Sequence, residues 1–216
     1  MKNLFYSLLV FAFVSCNSNS ETKTTESSDT KETTSTNTNQ EIEDTKELKT
    51  VEDIRAEFQL IQSKITNGKM DSTSFNYECD GGGGQVAFSE NGQLRKITYG
   101  SGYEHGGVIK EYFLKDNTPF FVFEEASTWI FDVDAKTEDA TRDDITESRF
   151  YIVDKKLIKC LEKKFTIRSS LKKNPSSATV ENKEVPCSDL TELMKDYELV
   201  LKYKNQKTDI ECLENN

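Results

Sequence analysis

Apolar positions change their period along the chain, and the changes mark its elements. Val51, Ile54, Phe58, Ile61 and Ile65 recur three and four residues apart, the spacing of one face of an α-helix. Thr50 followed by Asp53 resembles a capping box with Asp in place of Glu, and Asn67-Gly68 supplies a stop, so the pattern predicts a helix from Thr50 to the Asn-Gly pair. The period then falls to two. Residues 73–79 alternate with Phe75, Tyr77 and Cys79 in phase, predicting a strand. Residues 85–90 and 93–99 flank Asn91-Gly92, a strong hairpin signal. The simplest register puts Val86 and Phe88 on the face of Ile97 and Tyr99, with Ser89 and Lys96 on the other. Residues 110–115 and 120–125 flank Asp116-Asn117-Thr118-Pro119, and residues 149–153 and 157–161 flank Asp154-Lys155-Lys156. Both read as further hairpins, with a loop expected near residues 126–129. Residues 169–184 are polar and read as a loop. Ser188 is the expected N-cap of a last helix whose apolar face is Leu190, Leu193, Met194, Tyr197 and Leu201. The expectation is an α+β domain, an antiparallel β-meander of six to eight strands flanked by an N-terminal and a C-terminal helix.

The hairpins share a pattern: Val86-Ala-Phe-Ser-Glu-Asn-Gly-Gln-Leu, Glu111-Tyr-Phe-Leu-Lys-Asp-Asn-Thr-Pro-Phe and Arg149-Phe-Tyr-Ile-Val-Asp-Lys-Lys-Leu. A strand with an aromatic, an Asn/Asp turn and a second apolar strand repeat over residues 84–161. This pattern is similar to MORN-type repeats and to exported lipoproteins of the Bacteroidota. Neither family supplies a shared catalytic residue to carry over.

The first 49 residues are of another kind. Lys2 precedes an apolar run over residues 4–14, long enough for a signal-peptide core and shorter than the roughly 20 residues of a membrane-spanning helix. The run closes in Phe13-Val14-Ser15-Cys16, which resembles the lipobox of bacterial lipoproteins, with Phe13 where Leu is usual. That resemblance implies cleavage after Ser15 by signal peptidase II and diacylglyceryl transfer to the Cys16 sulfur. Asn17 follows instead of the Asp that retains some lipoproteins at the inner membrane, so the resemblance implies a cell-envelope protein directed to the outer membrane. The competing reading is an ordinary secretory signal with an incidental Cys16. Residues 16–49 begin with that Cys and continue without an aromatic, with Ile42 and Leu48 as the only large aliphatics. Such a stretch predicts a polar tether with a reach of roughly 30 Å as a random coil. The organisation expected is therefore a signal peptide over 1–15, lipidated Cys and tether over 16–49, and one domain over 50–216.

Composition narrows the partners. The chain has 38 acidic and 28 basic residues, a net charge of −10. That balance argues against nucleic acid, whose binding depends on Lys and Arg neutralising phosphates, and against docking on anionic headgroups. Membrane affinity is expected from the lipid on Cys16. Setting Cys16 aside, Cys79, Cys160, Cys187 and Cys212 form an even set, which in an exported protein suggests two disulfides with three connectivities open. Buried free thiols are the alternative. Metal binding lacks any Cys-x-x-Cys or Cys/His spacing.

Three stretches invite chemical readings. Residues 79–84, Cys-Asp-Gly-Gly-Gly-Gly, lack the Gly-Lys-Ser/Thr and the helix that a phosphate loop needs. The acidic stretch from Asp132 through Asp143-Asp144 has Lys136 at the fifth position and no Gly for a calcium-loop turn, and reads as a solvated loop. His105, the single histidine, stands between Ser101-Gly-Tyr-Glu and Gly-Gly, without a nucleophile-elbow motif, and reads as an exposed loop residue. If the strands alternate, the Gly-rich loops 81–84 and 100–107 and the loop near 126–129 share one edge of the sheet. Tyr103, His105 and Trp129 would then cluster there as a recognition surface. The reading is a binding lipoprotein with an unidentified protein or small-molecule ligand, no cofactor and no chemistry of its own. The alternatives are an envelope hydrolase using His105 and an inhibitor or immunity-type protein.

Overall fold

The computed structural model of the protein describes residues 47–187 and 189–213. The expected signal peptide, lipobox and Cys16 lie outside the described residues, as does Ser188.

Helix α1 spans Val51–Thr66. The Asp53 N–H donates to Thr50 Oγ1 (3.1 Å) and the Thr50 N–H to Asp53 Oδ2 (3.1 Å), so the first turn carries its own acceptors. Gly68, at φ +64°, releases the chain from the helix. Eight strands follow in one sheet, β1 (Asp71–Tyr77), β2 (Gly83–Glu90), β3 (Gln93–Tyr103), β4 (Gly106–Lys115), β5 (Thr118–Phe131), β6 (Thr141–Val153), β7 (Lys156–Arg168) and β8 (Lys183–Glu184). Each pairs antiparallel with the next, in the order β1 to β8. Helix α2 spans Leu190–Lys202 and is capped by Asp189, whose side chain accepts the Thr191 N–H at 2.9 Å. The cap stands one residue beyond the expected Ser188.

The three tight turns are built alike. Asn91-Gly92, Asp116-Asn117 and Asp154-Lys155 all take positive φ at both central residues, the type I′ geometry that suits strand twist. In each hairpin the register shifts just past the turn. The second strand carries one extra residue there: Arg95, Phe120 or Ile158. This bulge corrects the register expected for the first hairpin. With Arg95 inserted, Ala87 pairs with Ile97 and Gln85 with Tyr99, so Ala87 and Gln85, and not Val86 and Phe88, share the face of Ile97 and Tyr99. The second and third turns are also two residues long, with Thr118, Pro119 and Lys156 already in strands. Residues 126–129, expected as a loop, belong to β5, and Asp143-Asp144 belong to β6.

Successive residues of a strand face opposite sides. Phe113 packs on Phe58 of α1, ring centroids 4.8 Å apart, and its neighbour Tyr112 packs on Tyr197 of α2 at 5.4 Å. The two helices therefore cover opposite faces, giving three layers with two cores. One holds Ile54, Ile61, Phe113, Phe121 and Tyr151 under α1, and Leu48 packs against it, so the folded unit begins before the expected boundary at 50. The other holds Ile97, Tyr112, Val122, Leu193, Tyr197 and Val200 under α2. Among the described residues no helix is long and apolar enough to cross a membrane.

The cysteines pair as Cys79 with Cys212 and Cys160 with Cys187, each with Cα atoms 5.3 Å apart. The first pair ties a C-terminal strap along β1. Ile210 N–H donates to Asn76 O (3.0 Å), and the N–H groups of Glu78 and Cys79 donate to Glu211 O. The strap satisfies part of an edge that would otherwise be open to pairing.

Candidate functional site

The meander has its tight Asn/Asp turns at one end; at the other end the Gly-rich stretch 100–107, expected as a loop, is strand except for Glu104-His105, because its glycines pair within β3 and β4. Connections 78–82, 104–105 and 132–140 all fall at the second end. Of the seven large apolar side chains most exposed among the described residues, six lie there: Tyr103, Ile109, Ile130, Phe131, Val133 and Leu171. Concentrated exposure of this kind marks interaction surfaces more often than scattered single residues do.

On the α1 side of this end a cleft of about 450 Å³ opens, lined by Gly100, Gly107, Ile109, Glu125, Ser127 and Trp129 among others. Register explains the lining. Gly100, Ile109, Glu125, Glu147 and Lys163 are cross-strand partners in one row, and Gly107 pairs with Ser127 in the next. The glycines contribute no side chains, so Trp129 and Ile109 stand as walls over a bare floor. The Trp129 N–H donates to His105 O (2.8 Å), and the His105 ring meets the indole edge-on at 4.8 Å. Phe131 continues the aromatic row, 5.9 Å from Trp129.

His105 and Trp129 are thus brought together. Tyr103 reaches the same end but belongs to the opposite face. Its hydroxyl donates to Ser127 O (2.8 Å), and its ring lies where a Cβ on Gly106 would collide. Tyr103 therefore supports the floor of the cleft from behind. His105 Nε2 is 3.9 Å from the exposed Glu104 carboxylate, and among the described residues no hydrogen bond joins His105 to Ser101.

Reading strands only for apolar alternation misses the charged floor of this face. Glu147 is 2% exposed; Arg149 Nη2 donates to it at 2.6 Å and Lys163 Nζ stands 3.2 Å away. Lys163 also donates to Ser177 O and Oγ at 2.6 and 2.7 Å. Glu111 holds Lys96 Nζ at 2.7 Å. Glu125 stands beside both acids, and burial, then Glu147, then Glu111, push its carboxyl above its ordinary value. The available signal was a Glu in phase with Phe121 and Phe123, an inward position where a carboxylate is costly.

No family model, curated protein or solved structure matches the chain. The loop after β5 is exposed at residues 133, 134 and 136–139, and of its acids only Asp132 is buried. Asp132 is buried and accepts from Arg168 Nη1 at 2.5 Å and from the Asp134 N–H at 3.3 Å. Among the described residues no three His, Cys, Asp or Glu side chains converge as a metal cluster.

Proposed function

We propose that the protein is a lipid-anchored binding lipoprotein of the cell envelope, without chemistry of its own. Its recognition site is the bare, Gly-rich end of the sheet, centred on Trp129 and His105. The observation that carries this reading is the cleft at that end, lined by exposed Ile109 and by Trp129, with exposed Phe131 continuing the aromatic row. Ligand sites are concave and mostly apolar, with a few placed polar groups, and exposed aromatics supply most of the anchoring energy at interfaces. The lipobox-like Phe13-Val14-Ser15-Cys16 supports the anchor, and a net charge of −10 makes acyl chains rather than headgroup contacts its basis. A tether from Cys16 to the start of the packed unit before Leu48 would let the domain stand clear of the membrane, with the outer membrane as the proposed address.

The test uses the full chain, expressed with its own leader and extracted from envelopes. Mass spectrometry is expected to find Cys16 at the mature N-terminus with acyl chains attached; a bare thiol or an uncut leader would remove the anchor. Affinity purification of wild type beside Trp129→Ala and Asn117→Ala is expected to show a co-eluting species lost at least tenfold with the first variant only. Equal recovery with all three would contradict the site.

A further inference from the structure

We infer that the cleft beneath Trp129 takes an organic cation, an ammonium or guanidinium head on an apolar stem. The inference deepens the proposed binding role and rests on it.

Charge is the first ground. Three carboxylates share this region of the α1-side face. Glu111 is neutralised by Lys96, and Glu147 by Arg149 and Lys163. Glu125 receives neither an ion pair nor a hydrogen bond among the described residues, and it alone of the three lines the cleft. A bound cation would relieve the repulsion that Glu125 now feels from its neighbours; an anion would add to it, and a purely apolar ligand would bury it further.

Shape is the second ground. Trp129 forms one wall, and an indole face is the strongest aromatic partner for a cation. Ile109, 45% exposed, offers the opposite wall to an apolar stem. Gly100 leaves the floor open for reasons packing does not require. A Cβ there would first meet Ile109 Cγ1 and Val108 O at 4.0 Å, ordinary contact, whereas a Cβ on Gly83 or Gly106 would collide with backbone. A mid-strand glycine that nothing crowds weakens the strand and marks where another molecule approaches closely.

Trp129 is the only tryptophan, so fluorescence excited at the red edge of the aromatic band, where the eight tyrosines absorb little, reads this site. The full chain is titrated with agmatine, 1,5-diaminopentane and a Gly-Arg-Gly amide, beside glucose and pentanoate. Saturable change is expected with the cations and not with glucose or pentanoate. Glu125→Gln is expected to weaken cation binding at least tenfold, and Gly100→Leu, which fills the floor, to abolish it. Glu125→Gln should melt no lower than wild type, because it removes a carboxyl whose charged form the fold disfavours; circular dichroism checks this. Tighter binding of the peptide than of agmatine assigns the cation to a protein side chain, and the reverse to a free amine. Cation affinity unchanged in a folded Glu125→Gln overturns the inference, as does the absence of saturation with every cation. Saturation with glucose or pentanoate alone overturns it too, but leaves the binding role standing. Loss of discrimination between Trp129→Ala and Asn117→Ala in affinity purification would instead sink the role itself.

Discussion

Glu147→Ala is expected to cost roughly 3–5 kcal/mol of folding stability, the range for removing one partner of a buried ion pair. Glu147 faces Arg149 and Lys163, and the side chains of Glu147 and Lys163 are only 2% and 5% exposed. Without the carboxylate, Lys163 keeps its bonds to Ser177 but loses its counter-charge, and Arg149 keeps its bond to Asn182 alone. The cost therefore comes from stranded cations more than from any gain the pair supplies in the native protein. A triple variant, Glu147→Met with Arg149→Met and Lys163→Met, should recover most of the loss, since apolar replacement of a whole buried ion-pair cluster is often neutral. Urea unfolding at pH 7 measures both; a loss below about 1 kcal/mol in the single variant would contradict the account. The pH dependence carries a sign. Burial raises the Glu147 carboxyl, but hydrogen bonds from Ser177, Arg149 and Lys163 outweigh it and hold the group below its ordinary value. Its contribution is therefore complete above the ordinary carboxyl range, about pH 4.3, and is lost as pH falls through the lowered folded value. Glu125 behaves oppositely, because its charged form is disfavoured in the fold. Wild type should thus lose more stability on acidification than Glu147→Ala does.

Replacing Cys79 and Cys212 together by Ser should destabilise the domain by about 5 kcal/mol in the chain-entropy account, the largest effect expected of any single cross-link here. The bond closes a separation of 133 residues, against 27 for Cys160–Cys187. The difference in loop length makes the first worth about 1.4 kcal/mol more than the second. The native consequence is local as well. The strap of Asp209, Ile210 and Glu211 covers the backbone from Asn76, near the end of β1, to Cys79 just beyond it, with Asp209 Oδ1 accepting the Asn76 N–H at 2.8 Å. Release of Cys212 should free that strap, so amide exchange at residues 76–79 should rise ahead of the rest of the sheet. Comparison of the two double-Ser variants by denaturant unfolding decides the matter. A greater loss from Cys160/Cys187 would show that local packing outweighs loop length.

Helix α1 was legible because its stripe and its capping box agree, and both depend on spacings within one turn. The meander was legible from Asn91-Gly92 and the two Asx-containing turns, whose positive φ values suit Asn, Asp and Gly. Register was not. An inserted Arg95 looks like any strand residue, and only pairing with β2 reveals that Ala87, and not Val86, opposes Ile97. Residues 126–129 read as a loop because Ala-Ser-Thr breaks apolar alternation, yet they pair on both sides, with β4 and β6. The gathering of loops at one end followed from strand direction alone, which placed His105 beside Trp129. It could not say that Tyr103 falls on the other face, since that depends on side-chain parity through β3. Glu125, Glu147 and Lys163 escaped notice because charge within a strand reads as solvent-facing until cross-strand neighbours are known. The cysteine pairing was likewise open, because it needs distances between residues far apart in sequence.

The central claim is that recognition occurs at the Gly-rich end of the sheet. It is tested most directly by a photo-crosslinking amino acid placed at residue 131, an exposed position beside Trp129, and in a second protein at residue 117, the tight turn at the opposite end. Irradiated in intact envelopes, the residue-131 protein should form a discrete adduct that Trp129→Ala abolishes, and the residue-117 protein should form none. An adduct confined to residue 117, or one at residue 131 indifferent to Trp129, would contradict the account.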